Sequence, residues 1–341
     1  MILGREKFKE MRDSMPTTKV LASSRPMKAE RIQPGGSQLW RNIKRDKLLL
    51  LIFLPCLLNV IIFKYIPMFG IVIAFKDYNI IRGFLDSPWV GLAQFERLFS
   101  SSIFWRVFMN SFLLNIETWV CSFPVSIIFA LVLNEAKGRR FKKITQTISY
   151  LPYFISIVVV AGMVKIYLSP STGFISQAIG VVMGSDAPYL LGMPEAAHPI
   201  YVLTSIWKGF GWGAIVYLAA LSGIDTQLYD AADIDGANRM QRIIHITLPA
   251  LKPTIAILLI LEAGSLMSSA FDLAYLLQTD LNMAKLETIA TYVYKQGILA
   301  VSGKPLYSYT TAVGLFQSVL NLVLIVTANK IANRISEISL W

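Results

Sequence analysis

The chain has 341 residues, of which 55% are hydrophobic and only 16% charged, and its mean hydropathy is +0.55. Ordinary soluble domains carry about 25% charged residues, so this composition excludes a soluble globular protein. The net charge of +11 does not point to nucleic acid, because lysine and arginine stand at the ends of apolar runs and are not interleaved with aromatics on a polar face.

Residues 1–47 hold twelve Lys/Arg and five Asp/Glu, with Pro16, Pro26, Pro34 and the pair Gly35-Gly36, and show no apolar period. This segment reads as a basic cytoplasmic tail. A signal peptide is the competing reading, but 47 residues make a long lead-in and no small-residue cleavage site follows residue 63. The first apolar run is therefore expected to stay.

Six runs approach the roughly 20 residues that cross a bilayer. They predict an all-α membrane protein with spans over 48–66, 107–133, 144–168, 199–221, 251–272 and 309–333. The transmembrane domain extends over 48–334, with a short cytoplasmic end at 335–341. Of the 32 Lys/Arg, 22 fall in the tail, the second-to-third loop, the fourth-to-fifth loop and the C-terminal end, against 7 on the other side. By the positive-inside rule both termini are cytoplasmic.

The segment 67–106 is rich in aromatics, among them Phe75, Trp89, Phe95, Phe99 and Trp105. It suits either an interfacial belt or a docking surface. Residues 169–198 contain Pro170, Gly173, Gly184, Pro188 and Gly192 and are expected to form an outside loop with at most one short helix.

The sharpest pattern is the fourth-to-fifth loop, 225–250, which carries YDAADIDGANRMQRIIHITLP from Tyr229. Asp225 or Thr226 can cap a helix whose early turns hold Asp230 and Asp233. Ala231 and Ala232 leave a narrow surface, and Gly236 permits a sharp change of direction. Met240, Ile243, Ile244 and Ile246 then make an apolar stripe, with Arg239 and Arg242 expected on a wet face. Pro249 and Pro253 are expected to mark the return into the membrane. A helix, a bend and a helix parallel to the bilayer form a docking element with no catalytic group.

Ala231-Ala232, three residues, Gly236, nine residues, Ile246, one residue and Leu248-Pro249 resemble the EAA loop of permease subunits in binding-protein-dependent ABC importers. The resemblance implies a coupling helix seated in a cleft of an ATPase subunit, through Asp230, Ala231, Ala232, Asp235, Gly236, Ala237, Ile246, Leu248 and Pro249. The family usually has Glu where this chain has Asp230, one methylene shorter. The stretches FKYIPMFGIVIAFKDYN from Phe63, WVGLAQFERLF from Trp89, YLPYFISIVVVAGM from Tyr150, WKGFGWGAIVYLAALSGID from Trp207 and YTTAVGLFQSVLNLVLIVTAN from Tyr309 are similar to the carbohydrate-uptake branch. Within it they look most like importers of aldouronate or alginate fragments. That likeness implies an ABC importer permease core in the bacterial inner membrane, a second homologous permease, two ABC ATPases that hold the ATP and Mg, and an extracytoplasmic solute-binding protein. The chain itself is expected to bind no cofactor, its substrate being a sugar.

Polar groups inside spans carry hypotheses because they are expensive there. On the fifth, Glu262, Ser265, Ser269 and Asp272 are expected on one helical face; on the sixth, Thr310, Gly314, Gln317 and Asn321 share another. Both stripes suit a translocation path, or helix-to-helix hydrogen bonding. On the fourth, Trp207, Trp212 and Tyr217 offer faces to sugar rings, and Lys208 either neutralises a uronate or snorkels outward. No G-x-x-x-x-G-K-[ST] loop is present, and His198 and His245 are too far apart to argue a metal or a triad. A non-sugar ABC permease, a proton-coupled transporter using Glu262 or Asp272, and a scaffold are the alternatives.

Overall fold

The computed structural model describes residues 45–268 and 271–336. The tail before residue 45 and the position of Ser269 lie outside the described residues. Among the described residues five helices are long and apolar enough to cross a membrane, six when a bent pair is counted as one span. No strand is present among the described residues; an isolated bridge joins Lys76 to Trp89.

The first helix, α1 (Lys47–Val60), runs on through a wide π turn at Ile61–Tyr65, and none of its own residues is buried. The rest of the chain forms a unit of its own, from Pro67 onward. In it, α2 (Ala93–Phe99) leads to the long α3 (Ser102–Glu135), whose N-cap Ser101 accepts from the Phe104 amide. This second span starts earlier than residue 107 because that cap, and not the apolar run, sets its beginning.

Where a continuous third helix over 144–168 was expected, the structure has α4 (Arg139–Phe154) and α5 (Ile157–Tyr167) bent by 95°. Ile155 and Ser156 between them are extended, with ψ of 132° and 138°. Pro152 sits in the last turn of α4, where its ring already weakens the ladder. The segment expected as an outside loop, 169–198, holds one short helix, α6 (Phe174–Met183), and a 3-10 turn at Leu190–Gly192, and ends early because the next span begins at Pro194.

The fourth span, α7 (Pro194–Ser222), begins on a proline at its first position. It packs along α3. After α8 (Thr226–Ile234), the fifth span α9 (Arg239–Ser265) runs straight through Pro249 and Pro253. These prolines do not mark a turn back into the membrane. A π turn at Ile243–Thr247 widens the backbone just before Pro249, which absorbs a ring that would meet the carbonyl four residues earlier.

α9 ends at Ser265, so the expected helix to residue 272 is cut short and Asp272 begins a separate helix, α10 (Asp272–Leu277). Two short helices follow, α11 (Met283–Leu286) and α12 (Ile289–Gly297), then the last span α13 (Tyr307–Ser336). The aromatic segment before α3 packs on α13: Phe99 meets Phe316 edge-on at 5.5 Å, and Ser308 Oγ accepts from the Tyr78 amide at 2.9 Å.

Three apolar clusters follow one another along α3, around Phe104 and Val107, then Leu114, then Ala130. Between Leu114 and Ala130 no apolar residue of α3 is buried. A cavity opens in that interval.

Candidate functional site

The cavity, of about 450 Å³, lies between α3, α7 and α9. α3 contributes Asn115, Thr118, Trp119, Ser122 and Ser126. These positions stand at i, i+3, i+4, i+7 and i+11, one face of a helix. Thr118 Oγ1 donates to the Leu114 carbonyl at 2.7 Å and Asn115 Nδ2 to that of Ser111 at 2.8 Å. The Thr118 proton is spent on its own helix, leaving its oxygen lone pairs for the cavity, while Asn115 keeps its carbonyl oxygen and a second N–H. Trp119 Nε1–H is a buried donor with no acceptor among the described residues.

α7 supplies Tyr201, Ser205, Trp212 and Tyr217, and α9 supplies Glu262. Close approach of α3 and α7 rests on Gly213, where a Cβ would lie 2.9 Å from Ser126 Oγ. The wall thus combines hydroxyls, an indole donor, aromatic faces and one carboxylate, with no Lys or Arg among the lining residues.

Of the residues expected on the path, Trp212, Tyr217 and Glu262 come together here. Trp207 is partly exposed and does not line the cavity. Lys208 does not line it either: its ammonium donates to carbonyls at the break between α4 and α5. Ser265 lies at the end of α9 and donates to the Glu262 carbonyl at 3.1 Å. Asp272, on α10, is separated from Glu262 by the end of α9, so the two do not share a helical face.

Gln317 and Asn321 hold the place where α9 unravels. Gln317 Nε2 donates to the Met267 carbonyl, Asn321 Oδ1 accepts from the Met267 amide at 3.1 Å, and Asn321 Nδ2 donates to Ser268 Oγ at 2.7 Å. Backbone groups released inside a membrane need such partners. The α3 residues were not among those expected, although their spacing is as readable as that of Gln317 and Asn321.

The loop at the other end is built from local signals. Asp225 Oδ1 accepts from the Gln227 amide at 2.9 Å and starts α8. Gly236, with φ +75°, ends it, as Ala237 N–H reaches the Ala232 carbonyl at 2.9 Å and Gly236 N–H the Asp233 carbonyl at 3.2 Å. This is a Schellman closure, whose left-handed position suits glycine. Asn238 and Gln241 then form a reciprocal capping box that opens α9, at 2.7 and 3.0 Å.

The elbow is braced from behind. Tyr229 Oη meets the buried Thr247 Oγ1 at 3.0 Å. Arg242, expected on a wet face, is largely buried: it pairs with Asp233 and lies 4.0 Å from Glu135 at the end of α3. Its two carboxylate partners draw it inward. On the front, Asp230, Ala231, Asp235 and Gly236 are exposed, with Leu228, Ile234 and Met240 beside them. Ala232, Gly236, Ala237, Gln241 and Ile246 line a cleft of about 290 Å³. Leu248 is half-buried and Pro249 exposed.

An exposed elbow is thus braced onto helices that also wall a mid-chain cavity. Residues 122–337 match the family described as "Binding-protein-dependent transport system inner membrane component". The chain belongs to this family. The permease is 41% identical over 299 residues to protein LplB of Bacillus subtilis (strain 168), covering 88% of this chain and 92% of the relative. It is also 41% identical over 293 residues to the polygalacturonan/rhamnogalacturonan transport system permease protein YteP of the same organism, covering 86% and 90%. Among solved structures, a chain of a bacterial ABC transporter involved in the import of the acidic polysaccharide alginate superposes with a TM-score of 0.80 at 40% identity. It covers 87% of this permease and 99% of that chain. The same alginate transporter in complex with an alginate pentasaccharide-bound periplasmic protein gives a TM-score of 0.80 at 39% identity, over 89% and 99%. The resemblance drawn from the loop and the apolar stretches is thereby borne out, as is the all-α permease fold.

Proposed function

We propose that this permease carries oligosaccharides released from a polysaccharide across the inner membrane, as one half of an ATP-driven importer working by alternating access. The observation that carries the reading is the braced elbow: a force on α8 is passed through Arg242 to α3 and α9, two walls of the cavity. Mg-ATP and its hydrolysis belong to two partner ATPases, whose clefts receive the exposed face from Asp230 to Ala237. A second homologous permease completes the path, and an extracytoplasmic solute-binding protein delivers the sugar. Both termini face the cytoplasm.

Substrate chemistry follows from the wall. Hydroxyl oxygens and an indole N–H suit sugar hydroxyls, and the side of Trp212 away from its stack on Tyr153 suits a sugar ring. The relatives named above handle galacturonan, rhamnogalacturonan and alginate, which supports a fragment of an acidic polysaccharide. The cavity wall of this chain recognises its hydroxyls and rings and not its carboxylates, since it holds no cation.

The test is reconstitution of the permease with its partner subunits in proteoliposomes, with unsaturated oligogalacturonides and alginate oligosaccharides as probes. Uptake driven by ATP without a proton gradient is expected. Uptake that needs a proton gradient and ignores ATP overturns the reading.

A further inference from the structure

The break in the third span poses a physical problem that, among the described residues, the Lys208 side chain answers. The last carbonyls of any helix lack partners within it, and in a bilayer core no water replaces them. α4 ends at Phe154 against extended backbone; the Pro152 carbonyl there accepts the Ile155 amide at 3.2 Å, while the Tyr153 and Ile155 carbonyls need a partner from outside the helix. Lys208 Nζ donates to Tyr153 O at 2.7 Å, Ile155 O at 2.7 Å and Pro152 O at 3.4 Å. An ammonium has three N–H donors and no acceptor, so its whole capacity is matched to three carbonyls. The sign is also right, since a helix C-terminus carries partial negative charge.

The lysine is held on target by its own helix face. Trp212, one turn further along α7, stacks on Tyr153 with ring centres 4.5 Å apart and planes 4° from parallel. The Lys208 ammonium lies 5.4 Å from the centre of the same Tyr153 ring. Gly211 lets the helices meet, because a Cβ there would stand 2.1 Å from the Ser149 carbonyl oxygen. Lys208, Gly211 and Trp212 therefore grip the last two turns of α4 together. Among the described residues no carboxylate lies within ion-pair distance of Lys208.

In transporters with broken helices, carbonyls at a half-helix C-terminus can coordinate a free cation. We infer that Lys208 is a tethered cation in such a site: a positioning residue whose ammonium holds α4 and α5 at their fixed angle and makes a dissociable ion unnecessary there. The geometry accounts for a lysine in place of an arginine, since three converging carbonyls suit a compact point charge better than a planar fork. The inference is independent of which solute crosses.

Removing the side chain and returning only its charge tests the inference. In the full chain assembled with its partner subunits in nanodiscs, with Cys56→Ser and Cys121→Ser, spin labels are placed through Thr147→Cys on α4 and Ile166→Cys on α5. With Lys208 present, one narrow distance distribution is expected. Lys208→Met keeps the length but not the charge, and should broaden it roughly twofold, as for a segment sampling a second state. Lys208→Ala should be broad in tetramethylammonium, too large for the site, and narrow again in methylammonium. A narrow distribution for Lys208→Met overturns the inference, as does a Lys208→Ala response that is equal in the two amines. If neither variant assembles, methylammonium during expression and purification should restore assembly of Lys208→Ala, and failure to do so also overturns it.

Discussion

Asp233 and Arg242 form an ion pair across the Gly236 elbow, tying the last turn of α8 to the first turn of α9. The same guanidinium approaches Glu135 at the foot of α3 at 4.0 Å. Three elements are thus joined at one side chain, and two of them wall the cavity. Arg242→Leu is expected to leave basal ATP hydrolysis by the assembled importer intact while lowering substrate-stimulated hydrolysis and uptake. Asp233 is more than half exposed, so the pair is worth at most ~1 kcal/mol, or roughly a fivefold loss. Asp233→Asn should lose less, because Glu135 remains. Uptake unchanged by Arg242→Leu would show that the brace carries no force.

Gly236 separates conformational need from space. Its φ is +75°, yet a Cβ there would meet nothing within 4 Å. Gly236→Val is expected to reduce coupling, at a backbone cost of about 1–2 kcal/mol. Gly236→Asn, which tolerates the left-handed region, should retain most of it. Stimulated ATPase activity of the two variants, measured at equal assembly, checks the order; equal loss in both would mean that the partner cleft, and not the backbone, demands glycine.

The reverse holds at Gly211, where the backbone is ordinary helix and space is lacking. Gly211→Ala would push a methyl against the Ser149 carbonyl, at 2.1 Å before relaxation. Overpacking of this kind costs typically 1–3 kcal/mol, read as a lower thermal midpoint of the purified complex. Gly314→Ala on α13 is the control, with no atom within 4 Å of its added Cβ.

The elbow was legible in the sequence because all its signals are local. Asp225, Gly236, Asn238 and Gln241 cap, turn and cap again within a short stretch. The break in the third span was not, because FISIVVVAGM reads as one apolar run and the partner that stabilises the break, Lys208, is 53 residues from Ile155. The end of α9 is a similar case: Gln317 and Asn321 make it possible from another helix. Asn115, Thr118, Ser122 and Ser126 carried a readable one-face spacing, overshadowed by the charged Glu262 and Asp272. Distant partners decide where a membrane helix can stop, and no local pattern reports them.

Orientation rests on the split of 22 against 7 Lys/Arg. Within the segment 169–198, Ser176 is unsuited to labelling because it is buried and donates to the Leu168 carbonyl at 2.8 Å. Ser185, exposed beyond α6, is the better site. In a background of Cys56→Ser and Cys121→Ser, an impermeant thiol reagent added outside is expected to label Ser185→Cys and to spare Asn333→Cys until the membrane is opened. The opposite pattern would invert the topology.

The cavity makes its own demand on the second span. Ser122 lines the cavity from α3 and is half-buried. Ser122→Leu keeps the helix, since leucine is a better helix former than serine, but replaces a hydroxyl with a branched apolar group inside a space of about 450 Å³. If sugar passes here, uptake should fall by roughly tenfold or more for a lost hydrogen bond of about 1.5 kcal/mol plus obstruction, with complex yield and thermal midpoint preserved. Asn321→Leu is expected to behave differently, because it strips the Met267 amide and Ser268 of their partner; yield and stability should drop together with uptake. Glu262→Gln, which keeps size and hydrogen bonding while removing charge, then asks whether the carboxylate matters to the sugar. A rise in uptake of acidic fragments relative to neutral ones would show that Glu262 repels them in the wild type. If Ser122→Leu assembles normally and transports at the wild-type rate, the path does not run between α3, α7 and α9.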